Sequence, residues 1–267
     1  MRRKIAWIGC GNMGGAMLRR MLADGIYAPE EVIVSDKNSA LLDALHKELG
    51  VCVTEDNTEA AQAEKIVLAV KPQFIENVIA EIASFTEKDA LIISIVMSYE
   101  IGRLALLFGN KNAHIVRVMP NTPALVGEGV MAACRSESVT DEEWQFALRF
   151  LSSMGLAEEV PEKLMEAVTG VSGCGPAYCF LFIEALADAG VRAGLPRQTA
   201  LRIAAQTLLG SGKMALESGK HPGELKDMVT SPGGATIEGV AALERGAFRS
   251  CAIEAVHAAI EKAKSFK

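Results

Sequence analysis

A short apolar strand that runs straight into Gly9-Cys10-Gly11-Asn12-Met13-Gly14 constrains this chain more than any other feature. Residues 4–8, Lys-Ile-Ala-Trp-Ile, read as a strand, and a helical pattern follows to about residue 24. Gly-x-Gly-x-x-Gly is weak on its own. Between a strand and a helix it is the turn of a dinucleotide-binding βαβ unit. Gly9 allows the tight turn, Gly11 lets a pyrophosphate touch the backbone, and Gly14 lets helix and strand pack closely. The anion then meets free N–H groups at a helix N-terminus. Gly9, Gly11, Asn12, Met13 and Gly14 are therefore the expected cofactor loop. The bland alternative, a glycine-rich turn with no ligand, fits this context less well.

The chain has two halves with different grammar. Up to about residue 160, short β-branched runs alternate with amphipathic segments. Strands are predicted at 4–8, 32–35, 66–70, 91–94, 114–118 and 130–133, and helices at 39–49, 73–82, 98–108 and 140–153. Such alternation means a mostly parallel sheet covered by helices on both faces. Beyond residue 160 no strand is expected. Helical patterns cover 162–193, 196–217, 222–229, 236–243 and 247–264, with Gly194 and Gly219 at ends and Pro196 and Pro222 at starts. The predicted fold class is an α/β Rossmann domain, residues 1–161, followed by an all-α domain, residues 162–267.

Composition narrows the partners. The formal net charge is −6, which argues against nucleic acid, since phosphate neutralisation needs clustered Lys and Arg. No run of 18 or more uninterrupted apolar residues marks a membrane span. The most apolar region, 164–191, is broken by Glu166, Pro176, Glu184 and Asp188. Met1-Arg2-Arg3-Lys4 imitates the basic start of a signal peptide, but the apolar run behind it is too short and carries Gly9 and Gly11. A cytoplasmic protein is expected. Six scattered cysteines, with no Cys-x-x-Cys and no His at ligand spacing, fit small buried residues in a reducing compartment and predict no metal site.

Other candidates lie at strand ends, where open α/β sheets line their cofactor crevice. Ser35-Asp36-Lys37-Asn38 ends the second strand. Asp36 stands about 22 residues beyond Gly14, near the spacing of the acid that binds the ribose 2′-hydroxyl of NAD. Ser35, Lys37 and Asn38 could instead hold a 2′-phosphate, which favours NADPH, with NADH as the alternative. Ala69-Val70-Lys71-Pro72 and Ser94 end the next strands. Lys71 reads equally as a base, a phosphate contact or a plain strand-end lysine. Met119-Pro120-Asn121 is expected to border the nicotinamide, although Val116 and Met119 fit a core equally well.

Several motifs together resemble the pyrroline-5-carboxylate reductase family. They are Ile-Gly-Cys-Gly-Asn-Met-Gly-Gly-Ala-Met (8–17), Val-Lys-Pro-Gln (70–73), Arg-Val-Met-Pro-Asn-Thr-Pro (117–123) and Val-Ser-Gly-Cys-Gly-Pro-Ala-Tyr (171–178), with Cys174 where that family is expected to carry Ser. The most specific is Leu-Lys-Asp-Met-Val-Thr-Ser-Pro-Gly-Gly-Ala-Thr-Ile (225–237). The resemblance implies reduction of 1-pyrroline-5-carboxylate to L-proline by NAD(P)H, the last step of proline synthesis, and a C-terminal helical dimerisation domain. It also implies that Thr236 contacts the imine nitrogen as the catalytic group, while Ser231, Gly233, Gly234 and Ala235 hold the substrate carboxylate.

The residues suit that chemistry. Two glycines and a following helix can converge N–H groups on a carboxylate. By itself, the same run would be an interhelical turn with a Thr N-cap. An imine nitrogen protonates readily, so no strong protein acid is required, and none of the four histidines sits in a catalytic setting. Gly173-Cys174-Gly175-Pro176 is expected to kink a helix, either towards substrate or as subunit packing. A β-hydroxyacid dehydrogenase would need a lysine base just after a Gly-x-Gly element. Pro176-Ala177-Tyr178-Cys179-Phe180 supplies none. A dinucleotide sensor without catalysis would have no use for residues 231–236. Residues 177–191 are apolar all round, more than a single surface helix needs. They predict a homodimer, and the resemblance leaves open a decamer of stacked dimers with loop 231–236 facing the partner's Rossmann cleft.

Overall fold

The structure, a computed structural model, describes residues 3–265. Eight strands form one sheet in the order β3-β2-β1-β4-β5-β6-β7-β8. They are β1 Ile5–Ile8, β2 Val32–Ser35, β3 Cys52–Thr54, β4 Lys65–Leu68, β5 Leu91–Ser94, β6 His114–Met119, β7 Gly129–Arg135 and β8 Gly155–Glu159. All neighbours run parallel except β6 and β7. Helices α1 Asn12–Ala23, α2 Ser39–Leu49, α3 Asn57–Ala60, α4 Ile75–Ile82, α5 Ile101–Leu107 and α6 Asp141–Ser152 fall between strands. The α/β class and the alternation are as the sequence indicates.

Alternating side chains give the sheet two apolar faces. Trp7 points to one, packing edge-on against Phe150 of α6 with ring centroids 6.0 Å apart. Ala6 and Ile8 point to the other, among Ile66, Ile75 and Ile79. Burial on both faces explains why β1 is wholly apolar. Local signals set the helix ends. Thr140 caps α6 in a capping box with Glu143, and Asn38 caps α2, which Gly50 ends at φ 71°.

Two strands lie outside the expected set. β3 has three residues and β8 reads Gly-Leu-Ala-Glu-Glu. Both are sheet edges, paired on one side only. They carry little of the apolar run that marks an inner strand.

The chain divides into two compact units, one up to Gly173 with the segment from Ile260 added, the other Cys174–Ala259. The predicted helix over 162–193 is three pieces. A single helical turn at 162–164 leads into α7 Met165–Val168, a π-helical turn spans Thr169–Gly173, and α8 covers Gly175–Arg192. The glycines and Pro176 thus interrupt the helix rather than kink it. The run Glu162–Arg192 is long and apolar enough, by length and composition alone, to cross a bilayer. It nevertheless contains the π turn and the acids Glu166, Glu184 and Asp188.

The second unit holds most of α8 to α12: α9 Arg197–Glu217, α10 Pro222–Met228, α11 Ala235–Arg245 and α12 Phe248–Lys264. Among the described residues its buried cluster is Ala187, Ala200 and Ala204, with Ile183, Val191 and Leu201 partly buried against it. Phe180, Leu181, Ile203, Leu209, Leu216 and Ile253 are all more than half exposed.

Candidate functional site

The glycine turn sits at the carboxyl end of β1, where the strand order reverses between β1 and β4. Gly9 has φ +85°, and a Cβ there would lie 2.8 Å from Val70 Cγ1. A Cβ on Gly14 would lie 2.9 Å from Ala69 Cβ and 3.0 Å from the Gly9 carbonyl. Gly11 differs. A Cβ there meets nothing within 4 Å. Gly9 and Gly14 are required by the protein's own packing, whereas Gly11 faces open space that a ligand can fill. Gly11 is also the N-cap of α1 and gives no side-chain cap, so the first-turn N–H groups of Asn12 and Met13 are free to meet an anion. The turn fits a dinucleotide pyrophosphate. An open cleft of about 820 Å³ runs from Cys10, Gly11 and Asn12 along α1 to Arg20, with Ala124 and Leu125 opposite.

Beside the turn, Asp36 accepts the Cys10 N–H at 2.8 Å and the Asn38 N–H at 3.0 Å. Lys37 is exposed and donates to the Glu55 carbonyl at 2.9 Å. Ser35 departs from its expected role. It is fully buried, and its hydroxyl donates to Asn57 Oδ1 at 2.7 Å, so that group is engaged within the fold. Its carbonyl instead accepts the Gly9 N–H at 2.8 Å. Burial, the largest cause, and nearby Asp36 push the Cys10 thiol up to about 12, which keeps it protonated.

At the ends of β4 and β5, Ala69 and Val70 back the glycine turn, Lys71 is exposed, and Pro72 opens a short helical turn. Ser94 is buried, its hydroxyl accepting the Val96 N–H at 3.3 Å. Val116 is core and Met119 is partly buried. Asn121 is committed to the fold. Its Oδ1 accepts the Val130 N–H at 2.8 Å, and its Nδ2 donates to the Ser172 carbonyl and hydroxyl at 3.2 and 3.1 Å. A Cβ on Gly173 would come within 2.6 Å of Met119 Cε, so the π turn and residues 119–121 are held together. This tie was not legible beforehand, because nothing in the spacing pairs Asn121 with Ser172.

In the second unit, Ser231-Pro232-Gly233-Gly234 forms a tight turn. Gly234 N–H donates to the Ser231 carbonyl at 3.0 Å, and Gly233 has φ +67°. Pro followed by a positive-φ Gly is the type II pattern. Gly234 is the N-cap of α11 and contributes no side-chain cap. Thr236 is therefore the second residue of the helix and not its cap. Ser231 and Thr236 are exposed, and among the described residues neither hydroxyl has a partner. Free first-turn amides and two free hydroxyls together suit a carboxylate with a neighbouring nitrogen.

Cys10 and Cys134 are buried, as expected of small apolar residues, but Cys179 and Cys251 are exposed within one chain. His114 is bound to Glu143 at 2.9 Å, and His221 caps α10.

Comparisons with known proteins bear on both units. Residues 162–266 match the family described as pyrroline-5-carboxylate reductase dimerisation. Residues 4–98 match the one described as NADP oxidoreductase, coenzyme F420-dependent. A pyrroline-5-carboxylate reductase of Synechocystis is 46% identical over 265 residues, 99% of this chain and 98% of that protein. The structure of one from Coxiella burnetii is similar with TM-score 0.92 at 35% identity, covering 99% of this chain and 98% of that one. A Plasmodium falciparum pyrroline carboxylate reductase with NADP bound has TM-score 0.87 at 35% identity, covering 98% and 97%.

Proposed function

The chain belongs to the pyrroline-5-carboxylate reductase family, and on that premise we propose how its own residues carry the reaction. It is an oxidoreductase acting on a CH–NH group that reduces 1-pyrroline-5-carboxylate to L-proline with NADPH. The cofactor, when bound, supplies the hydride that goes to the imine carbon. The protein supplies binding, orientation and charge.

Gly9, Gly11, Asn12, Met13 and Gly14 take the pyrophosphate. Lys37 and Asn38 take the 2′-phosphate. Residues 69–72, Ser94 and Met119, Pro120 and Asn121 shape the nicotinamide half, chiefly through backbone and packing. Ser231 and the amides of Gly233 and Ala235 hold the substrate carboxylate, with Gly234, whose own N–H closes the turn onto the Ser231 carbonyl, shaping the loop between them. Thr236 directs its hydroxyl to the imine nitrogen. The substrate enters as the iminium, so the site needs a hydrogen-bond partner there rather than a strong acid. The uncapped start of α11, with both hydroxyls free, is the observation that carries this reading.

We also propose that the chain works as a cytoplasmic homodimer, with 1–161 as the Rossmann domain and 162–267 as the dimerisation and substrate domain. The exposed apolar residues of α8, α9 and α12 support the dimer. Six free cysteines support a reducing compartment. Assembly into decamers is the further possibility that the dimer leaves open.

Following NADPH oxidation by its nicotinamide absorbance, with and without the imine, tests the reading. Turnover should require the imine and exceed that with NADH. No imine-dependent oxidation in the folded protein would reject it.

A further inference from the structure

Asp36 stands where dinucleotide-binding folds usually carry the acid that takes the ribose hydroxyls. A carboxylate in that role repels the 2′-phosphate of NADPH. The partners of this side chain point to a different task. Oδ2 accepts the Cys10 N–H at 2.8 Å. Oδ1 accepts the Asn38 N–H at 3.0 Å, and Asn38 Oδ1 in turn accepts the Leu41 N–H at 3.2 Å. One residue earlier, the Ser35 carbonyl accepts the Gly9 N–H at 2.8 Å. Two consecutive residues of the glycine turn are thereby tied to two consecutive residues at the end of β2. The turn holds a positive φ at Gly9, and open space surrounds it at Gly11. Bonds from amides to a carboxylate are about twice as strong as neutral ones, so these ties fix the turn in the shape that presents its free N–H groups.

We infer that Asp36 is a positioning residue: its carboxylate is a strut that preassembles the pyrophosphate turn, and it does not select between NADPH and NADH. Selection falls to groups beyond it, Lys37 and the start of α2. The inference rests on the NADPH assignment above.

Dissociation constants for NADPH and NADH, measured by quenching of protein fluorescence on the whole protein and on Asp36→Asn and Asp36→Ala, test it. A strut predicts that both cofactors weaken together, about tenfold in the Ala variant. The loss should be smaller in Asn, which keeps one acceptor. The ratio of the two constants should stay within about twofold of wild type, and kcat at saturating cofactor should be retained. An Asp36→Asn protein that shifts the ratio about tenfold towards NADPH would overturn the inference, because the carboxylate would then face the 2′-position. Unchanged affinity for both cofactors would also overturn it. If the variants do not fold, a crystal structure of the wild type with NADPH decides. The bond from the Cys10 N–H to Asp36 must persist, and a carboxylate turned onto the ribose oxygens counts against the strut. Wild-type protein that binds neither dinucleotide would remove the cofactor assignment itself, and this inference with it.

Discussion

Thr236 and Gly11 are the residues on which the proposed chemistry can fail most cleanly. Thr236 is exposed at the second position of α11, so Thr236→Ala removes a hydroxyl without opening a cavity. Loss of its bond to the imine nitrogen should lower kcat/KM for the imine by about tenfold or more, with NADPH affinity unchanged. An unaltered kcat/KM would take Thr236 out of the mechanism. Gly11→Val tests the other half. The backbone at Gly11 has φ −65°, and a Cβ there meets no protein atom. The fold should therefore tolerate valine while the pyrophosphate does not. A folded variant with near-normal NADPH affinity would refute the assignment of residues 9–14. Two buried thiols set a third expectation. Burial is the largest cause that pushes both Cys10 and Cys134 from 9.0 to about 12. With raised folded values, their stabilisation is complete below pH 9 and is lost as pH rises from there to 12. Each thiol should weigh about 1.4 kcal/mol per pH unit within that window. Thermal melts of a Cys10→Ala, Cys134→Ala protein between pH 8 and 11 should then show a shallower alkaline decline than wild type. Parallel curves would count against this account.

Among the elements, α8 is one of those that a single chain does not satisfy. Phe180 and Leu181 are 62% and 65% exposed, while Phe182 packs on Phe248 with ring centroids 5.6 Å apart. A charge at Phe182 would therefore damage the unit's own packing as well as any interface. Phe180→Asp is the cleaner probe. It should leave the first unit folded and able to bind NADPH while abolishing turnover and dimerisation, the latter read by light scattering. An active Phe180→Asp monomer would show that this face is not an interface. The loop before α11 is equally specific. Gly233 at φ +67° makes Pro232-Gly233 the centre of the turn, and the helix that follows it starts without a side-chain cap.

On the scale of the molecule, the second unit buries too little of itself. Apolar surface left wet costs about 25 cal/mol per Å², and around the small cluster of Ala187, Ala200 and Ala204 many large apolar residues of the unit stay exposed. Pairing two copies removes that exposure, and an obligate interface resembles a core cut in half. A dilution series should show activity falling together with dissociation. A stable, fully active 28.4 kDa monomer would reject the dimer.

The sequence by itself determined the glycine turn, the alternating and then helical halves, and the loop at 231–236. Each is local: a run of neighbours whose φ requirements or periodicity decide the outcome. The edge strands β3 and β8 were hidden because a strand paired on one side needs few apolar residues. Tertiary structure alone decided which polar groups are spent on the fold. The Ser35 hydroxyl is taken by Asn57, and the Asn121 side-chain amide by Ser172 and Val130. Asp36, at the spacing of a ribose-binding acid, accepts the Cys10 amide. Partners so far apart in the chain meet only after the sheet has assembled, and no local pattern encodes their pairing.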